Sequence, residues 1–148
     1  MKRLRYSIDI PAPVQKVYDT MLGKETYPQW TFVFNPTSNF EGSWAEGEEI
    51  KFLGVDENGK KGGMLGIVAE NKVNQYVRIE YTGIVQEGKE LRGSEASPDW
   101  HGGIEAYTFS ENNGITTVVA EVDVPESVIP YFDETYPKAL EQLRDICK

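Results

Sequence analysis

The first rhythm along the chain is that of a strand. Leu4, Tyr6, Ile8 and Ile10 alternate with Arg5, Ser7 and Asp9, which predicts a half-buried β-strand. The prolines of "PAP" at 11–13 stop it, and Pro13 suits the first position of a helix, where its missing N–H would be unpaired in any case. Val14, Val17, Tyr18, Met21 and Leu22 then fall on one helical stripe, with Gly23 as its stop. "KETYPQW" has room for one further short helical turn, because Pro28 disfavours helix at Tyr27.

From about residue 38 to 124 the period changes to that of an antiparallel sheet. "SNFEGSW", "EEIKFLGV", "MLGIVAENKV" and "YVRIEYTGIV" are strand candidates separated by polar or glycine-bearing turns such as "DENGKKGG". In the last of them Val77, Ile79 and Tyr81 alternate with Arg78, Glu80 and Thr82. The polar stretch "QEGKELRGSEASPDWHGG" reads as a loop or irregular edge. "IEAYTF" and "ITTVVAEVDV" form a hairpin across "SENNG". About six strands are expected here.

The end of the chain returns to helical spacing. Phe132, Tyr136, Ala139, Leu140, Leu143 and Ile146 give an amphipathic helix over about 130–147, which Pro137 should kink or divide at Tyr136. The order is strand, helix, short helix, a run of strands, long helix. The stripe of the last helix needs an apolar surface, and only the inner face of the sheet is large enough. The expected class is α+β: a curved antiparallel sheet wrapped around a long C-terminal helix, with two short helices after the first strand, in one domain over 1–148.

Charge and cysteine content narrow the function classes. A net charge of −9 opposes binding to nucleic acid or to anionic membranes. No run approaches the roughly 18 apolar residues of a membrane span, and the basic N-terminus lacks the apolar core of a secretory signal. A soluble, cytoplasmic protein is expected. The single Cys147 has no partner for a disulfide and reads as a buried apolar side chain on the last helix.

Several segments carry a resemblance. "IDIPAPVQKVYDTM", "ETYPQW", "WHGGIEAYTFSENNGITTVVAEV" and "YFDETYPKALEQLRDIC", in this order and over essentially the whole chain, resemble the helix-grip, START-like superfamily often called SRPBCC. They are most similar to its bacterial branch named after the activator of the 90-kDa heat-shock chaperone ATPase. The resemblance implies a small apolar or amphipathic guest held between the closing helix and the sheet. It also implies that Trp30 points into that space to meet Phe132 or Tyr136, with Tyr27 plugging the same end. Trp30 is then core packing, or core packing that also touches the guest.

Candidate chemistry is sparse. His101, in "PDWHGG", is the only histidine and reads as an exposed loop residue, so no metal site of two histidines can form. No nucleophile elbow, zinc-protease motif or phosphate-binding glycine loop is present, and no cofactor is expected. Glu41, Glu46, Glu48 and Glu49 lack the spacing of a calcium loop and read as a solvated edge. Glu105 stands out. It shares a strand face with Tyr107 and Phe109, so it either points into an apolar cavity with a raised pKa, or reaches solvent or an arginine such as Arg78 or Arg92.

Three functions follow as expectations. The first is binding of a small apolar or amphipathic ligand in a cavity of ~300–1,000 Å³, a usual ligand-site size. Its lining would be Trp30, Phe34, Phe52, Tyr81, Trp100, Glu105, Tyr107, Phe132 and Tyr136. The second is a cyclase- or hydratase-type enzyme using Glu105 with Tyr81 and Tyr107; the lack of a cavity histidine weighs against it. The third, from the resemblance alone, is interaction with a chaperone, although no segment marks a surface for it. The strand "EEIKFLGV" is open to pairing across a homodimer.

Overall fold

The computed structural model describes residues 1–95 and 97–148; Ala96, within the polar stretch 86–103, lies outside the described residues. The elements are β1 (Lys2–Ile10), α1 (Val14–Leu22), α2 (Tyr27–Thr31), β2 (Asn39–Gly42), β3 (Glu49–Val55), β4 (Lys61–Lys72), β5 (Tyr76–Gln86), β6 (Lys89–Arg92), β7 (Ile104–Asn112), β8 (Ile115–Val124) and, after a single 3₁₀ turn at Glu126–Val128, α3 (Ile129–Cys147). All strand pairs are antiparallel and join into one curved eight-stranded sheet in the order β1-β8-β7-β5-β4-β3-β2, with β6 laid on β5.

Local chemistry sets these elements. The β7–β8 hairpin turns through Asn113 and Gly114, both at positive φ, the combination a two-residue hairpin loop requires. Asp56 Oδ1 accepts the N–H groups of Asn58 and Lys60 and closes the β3–β4 turn. α1 ends at Gly23, whose φ of −66° is ordinary. Glycine is needed there for space, because a Cβ would strike Thr26 Oγ1 and lie 2.8 Å from the Asp19 carbonyl. β4 carries two register shifts, between Leu65 and Gly66 and between Val68 and Glu70. Such bulges bend a strand and increase the sheet's twist, which suits a sheet that must wrap a helix.

α3 turns Thr135, Tyr136, Ala139, Leu140, Leu143 and Cys147 inward, where they join one core with Ile10 of β1, Val17 and Met21 of α1, Trp30 of α2 and the inner residues of β5, β7 and β8. Phe132 and Ile146 flank this stripe and stay half-buried. Leu53, Leu65 and Val85 form a small separate cluster.

Several expectations change. The closing helix is one continuous element through Pro137, so of the two alternatives the division at Tyr136 does not occur. Burial of the side chains on either side of Pro137 holds the segment helical despite one missing backbone hydrogen bond. The polar stretch after β5 is not all loop, since Glu87 and Gly88 turn the chain back so that β6 pairs with β5. "EEIKFLGV" is not a free edge: β3 is flanked by β2 and β4, and the long strand at the end of the sheet is β1. That leaves seven strands, not six, between residues 38 and 124. No helix among the described residues is long and apolar enough to cross a membrane.

Candidate functional site

The site grows from α2. This five-residue helix is too short to hold itself together, and tertiary contacts fix it. The Trp30 indole N–H donates to the Met21 carbonyl at the end of α1 (2.9 Å), and Thr31 Oγ1 donates to the Tyr27 carbonyl. Trp30 is 1% exposed. Its ring neighbours are Tyr27 (5.5 Å between centroids) and Tyr107 (6.3 Å), not Phe132 or Tyr136 as expected. Phe34, just beyond α2, takes that place, lying 5.8 Å from Phe132 and 5.3 Å from Tyr136.

Beneath α3 these rings border a pocket of about 200 Å³. All nine side chains singled out in the sequence line it: Trp30, Phe34, Phe52, Tyr81, Trp100, Glu105, Tyr107, Phe132 and Tyr136. The lining also includes Tyr27, Thr31, Ser38, Leu53 and Met64. The space is smaller than expected, because Tyr27, Phe40, Trp44 and Phe52 pack on one another at 5.3–6.3 Å and fill one end. Met64 had no signal of its own in the sequence. It is placed by register, directly opposite Phe52, so the two share a face.

Trp100 is carried by an irregular segment tied to β5. The Tyr81 N–H donates to the Gly103 carbonyl and Gly102 N–H donates to the Tyr81 carbonyl, which sets Trp100 edge-on to Tyr81 at 5.9 Å. Gly102 has φ +82°, a conformation that favours glycine at this turn. His101 beside it is exposed, and Cys147 is buried.

Glu105 is the one charged side chain in the lining. It sits in β7 between Ile79 of β5 and Val122 of β8. The Tyr136 hydroxyl donates to Oε2 at 2.6 Å and the Tyr81 hydroxyl to Oε1 at 3.0 Å. Tyr136 is aimed by its neighbours: Tyr6 stacks on it at 4.9 Å with ring planes 9° apart, and Tyr6 is itself anchored by donating to Asp133. Neither arginine weighed as a partner reaches Glu105. Arg78 pairs with Glu70 and Glu80, and Arg92 with Glu49 and Glu90.

Burial raises the Glu105 pKa, and the hydroxyls of Tyr136, Tyr81 and Tyr107 offset part of that rise by stabilising the ionised form. Burial, reinforced by the Glu105 charge, pushes the phenols of Tyr81, Tyr107 and Tyr136 well above their ordinary value. They stay protonated donors through the ordinary pH range. A consequence for stability follows. The folded state holds the Glu105 proton more tightly than the unfolded chain does, so the group costs nothing at pH well below 4.5 and increasingly opposes folding as pH rises through its raised pKa. Relative to wild type, Glu105→Gln is expected to gain stability as pH is raised across that window. Urea midpoints measured at a series of pH values check this, and a flat difference refutes it.

No family model matches this sequence, and no curated protein does. Solved structures match its shape. The Aha1 dimer from Colwellia psychrerythraea superposes with a TM-score of 0.73 at 18% identity, covering 99% of this chain and 96% of that one. Protein Ms6760 from Mycobacterium smegmatis gives 0.71 at 13%, covering 97% and 89%. The shared fold is a helix grip, a curved antiparallel sheet wrapped around the C-terminal helix. CalU16 from Micromonospora echinospora presents the same grip with a TM-score of 0.64 at 15% identity, covering 95% of this chain and 73% of that one. At such identities the grip is what is shared.

Proposed function

We propose that this protein binds one small, mostly apolar or amphipathic molecule in the pocket beneath α3. The observation that carries the reading is the lining itself. Aromatic rings from α2, β3, β5, β7 and α3 converge on one space whose one charged side chain among the described residues, Glu105, is oriented by two tyrosine hydroxyls. Apolar walls with a few convergent polar atoms are the usual composition of a small-molecule site. The volume of about 200 Å³ suits a compact guest of one or two fused rings rather than a long acyl chain.

Calorimetric titration with a panel of bicyclic aromatic compounds, neutral and charged, tests this. One-to-one saturable binding by at least one member is expected. Ser38→Leu places a larger side chain at the half-buried rim of the pocket. It is expected to weaken that binding by about tenfold or more, the cost of roughly 1.4 kcal/mol of lost contact, with an unchanged melting temperature. If no compound saturates, or if Ser38→Leu binds as well as wild type, the pocket is not a ligand site.

A second reading has one observation in its favour. A carboxyl group with a raised pKa, in a pocket with protonated tyrosines, is equipped to hand over or take up a proton, as a hydratase or cyclase requires. The Aha1 neighbour was solved as a dimer. For this chain a dimer would use β1, whose outer edge no strand covers.

A further inference from the structure

The pocket has an unbalanced charge. Among the described residues no Lys, Arg or His lines it, and Glu105 makes no ion pair. Moving an isolated carboxylate into such surroundings is costly unless something compensates. The hydrogen bonds from Tyr81 and Tyr136 compensate in part, one to each oxygen. A carboxylate offers about four lone-pair sites, so acceptor capacity remains on a group that faces the pocket. Four donors in the lining are already committed: the Trp30 N–H to Met21, the Thr31 hydroxyl to Tyr27, and the Tyr81 and Tyr136 hydroxyls to Glu105. An anionic guest would find no cation and would meet the Glu105 charge.

The remaining walls point the same way. Phe34, Trp100, Tyr107 and Phe132 line the same pocket as Glu105, and aromatic ring faces attract cations. We infer that the pocket's guest carries a protonated amine, which pairs with Glu105 while its apolar body lies against the aromatic walls. This rests on the reading of the pocket as a ligand site and adds the guest's chemical class. The two interactions reinforce each other, since the ammonium supplies the counter-charge that the protein omits and is desolvated only where rings and a carboxylate replace its water. A proton-bearing nitrogen in the guest also gives the tyrosines a role: Tyr81 and Tyr136 aim the carboxyl and offset part of the cost of its charge, and the guest supplies the rest.

The test uses three compounds of one shape on the intact chain: 2-naphthylmethylamine, 2-naphthylmethanol and 2-naphthoate, titrated by calorimetry at neutral pH. The amine is expected to bind about tenfold or more tighter than the alcohol, in line with one charged hydrogen bond and a cation–π contact, and the carboxylate weakest. In Glu105→Gln the amine's advantage over the alcohol is expected to vanish. Should the alcohol bind wild type as tightly as the amine, or the carboxylate bind best, the inference falls and the pocket remains a ligand site for another class. Should the amine keep its advantage in Glu105→Gln, Glu105 is not its partner and the inference falls as well. Binding by none of the three, with the neutral panel also silent, removes both readings together. The wild-type comparison stands even if the variant fails to fold.

Discussion

Trp30→Ala should destabilise the protein by about 3–5 kcal/mol, the range for deleting a buried aromatic side chain. Trp30 is 1% exposed and is the largest side chain in the core. Its removal deletes ring contacts to Tyr27 and Tyr107 and leaves the Met21 carbonyl without its indole donor. α2 has only five residues and no side-chain cap at either end, so the loss should also release this helix from the end of α1. A fall in the urea midpoint with an unchanged slope would report the energetic loss alone. A change in slope would report that α2 has come away in the folded state. A cost below about 1 kcal/mol, the ordinary level for a surface change, would mean that the indole does not anchor α2.

The second large effect belongs to α3. Leu143→Ala should cost about 2–5 kcal/mol, and Ile146→Ala clearly less. Leu143 is fully buried in the main core while Ile146 only flanks it. The pair is a direct test of helix orientation. Equal costs, or a greater cost at Ile146, would place a different face of α3 against the sheet and would move Tyr136 away from Glu105. Both midpoints come from the same denaturation experiment, so the comparison needs no absolute scale.

The strongest features of the sequence were those with a long, regular period. The alternation in "LRYSIDI" and "YVRIEY" and the helical stripe of "TYPKALEQLRDI" located β1, β5 and α3 because burial on one face imposes that period. Glu105 was legible for the same reason, since alternation tied its face to that of Tyr107 and Phe109. Other features depend on partners far away in the chain. The short β6 has only four residues and pairs through a turn in which Glu87 and Gly88 both take positive φ. Backbone chemistry alone reads Pro137 as a kink or a division, and the burial of Tyr136, Ala139 and Leu140 around it overrides the division. Trp30 was placed in the right space beside the wrong rings, since which aromatic meets which depends on side-chain angles that spacing does not contain. Nor could sequence alone reveal that Tyr81 and Tyr136, 55 residues apart, donate hydrogen bonds to the same carboxylate.

The pairing of β1 with β8 has a consequence for the order of events during synthesis. Lys2 sits opposite Val124 and Ile10 opposite Thr116, so β1 finds its partner strand only after more than a hundred further residues have emerged from the ribosome. Closing so large a loop is entropically expensive and slow compared with local hairpins. Until then the apolar side of β1 has nothing to cover it. A nascent chain of this design has reason to need shelter while it is being made, and its β7–β8 hairpin is the piece that brings the waiting strand home.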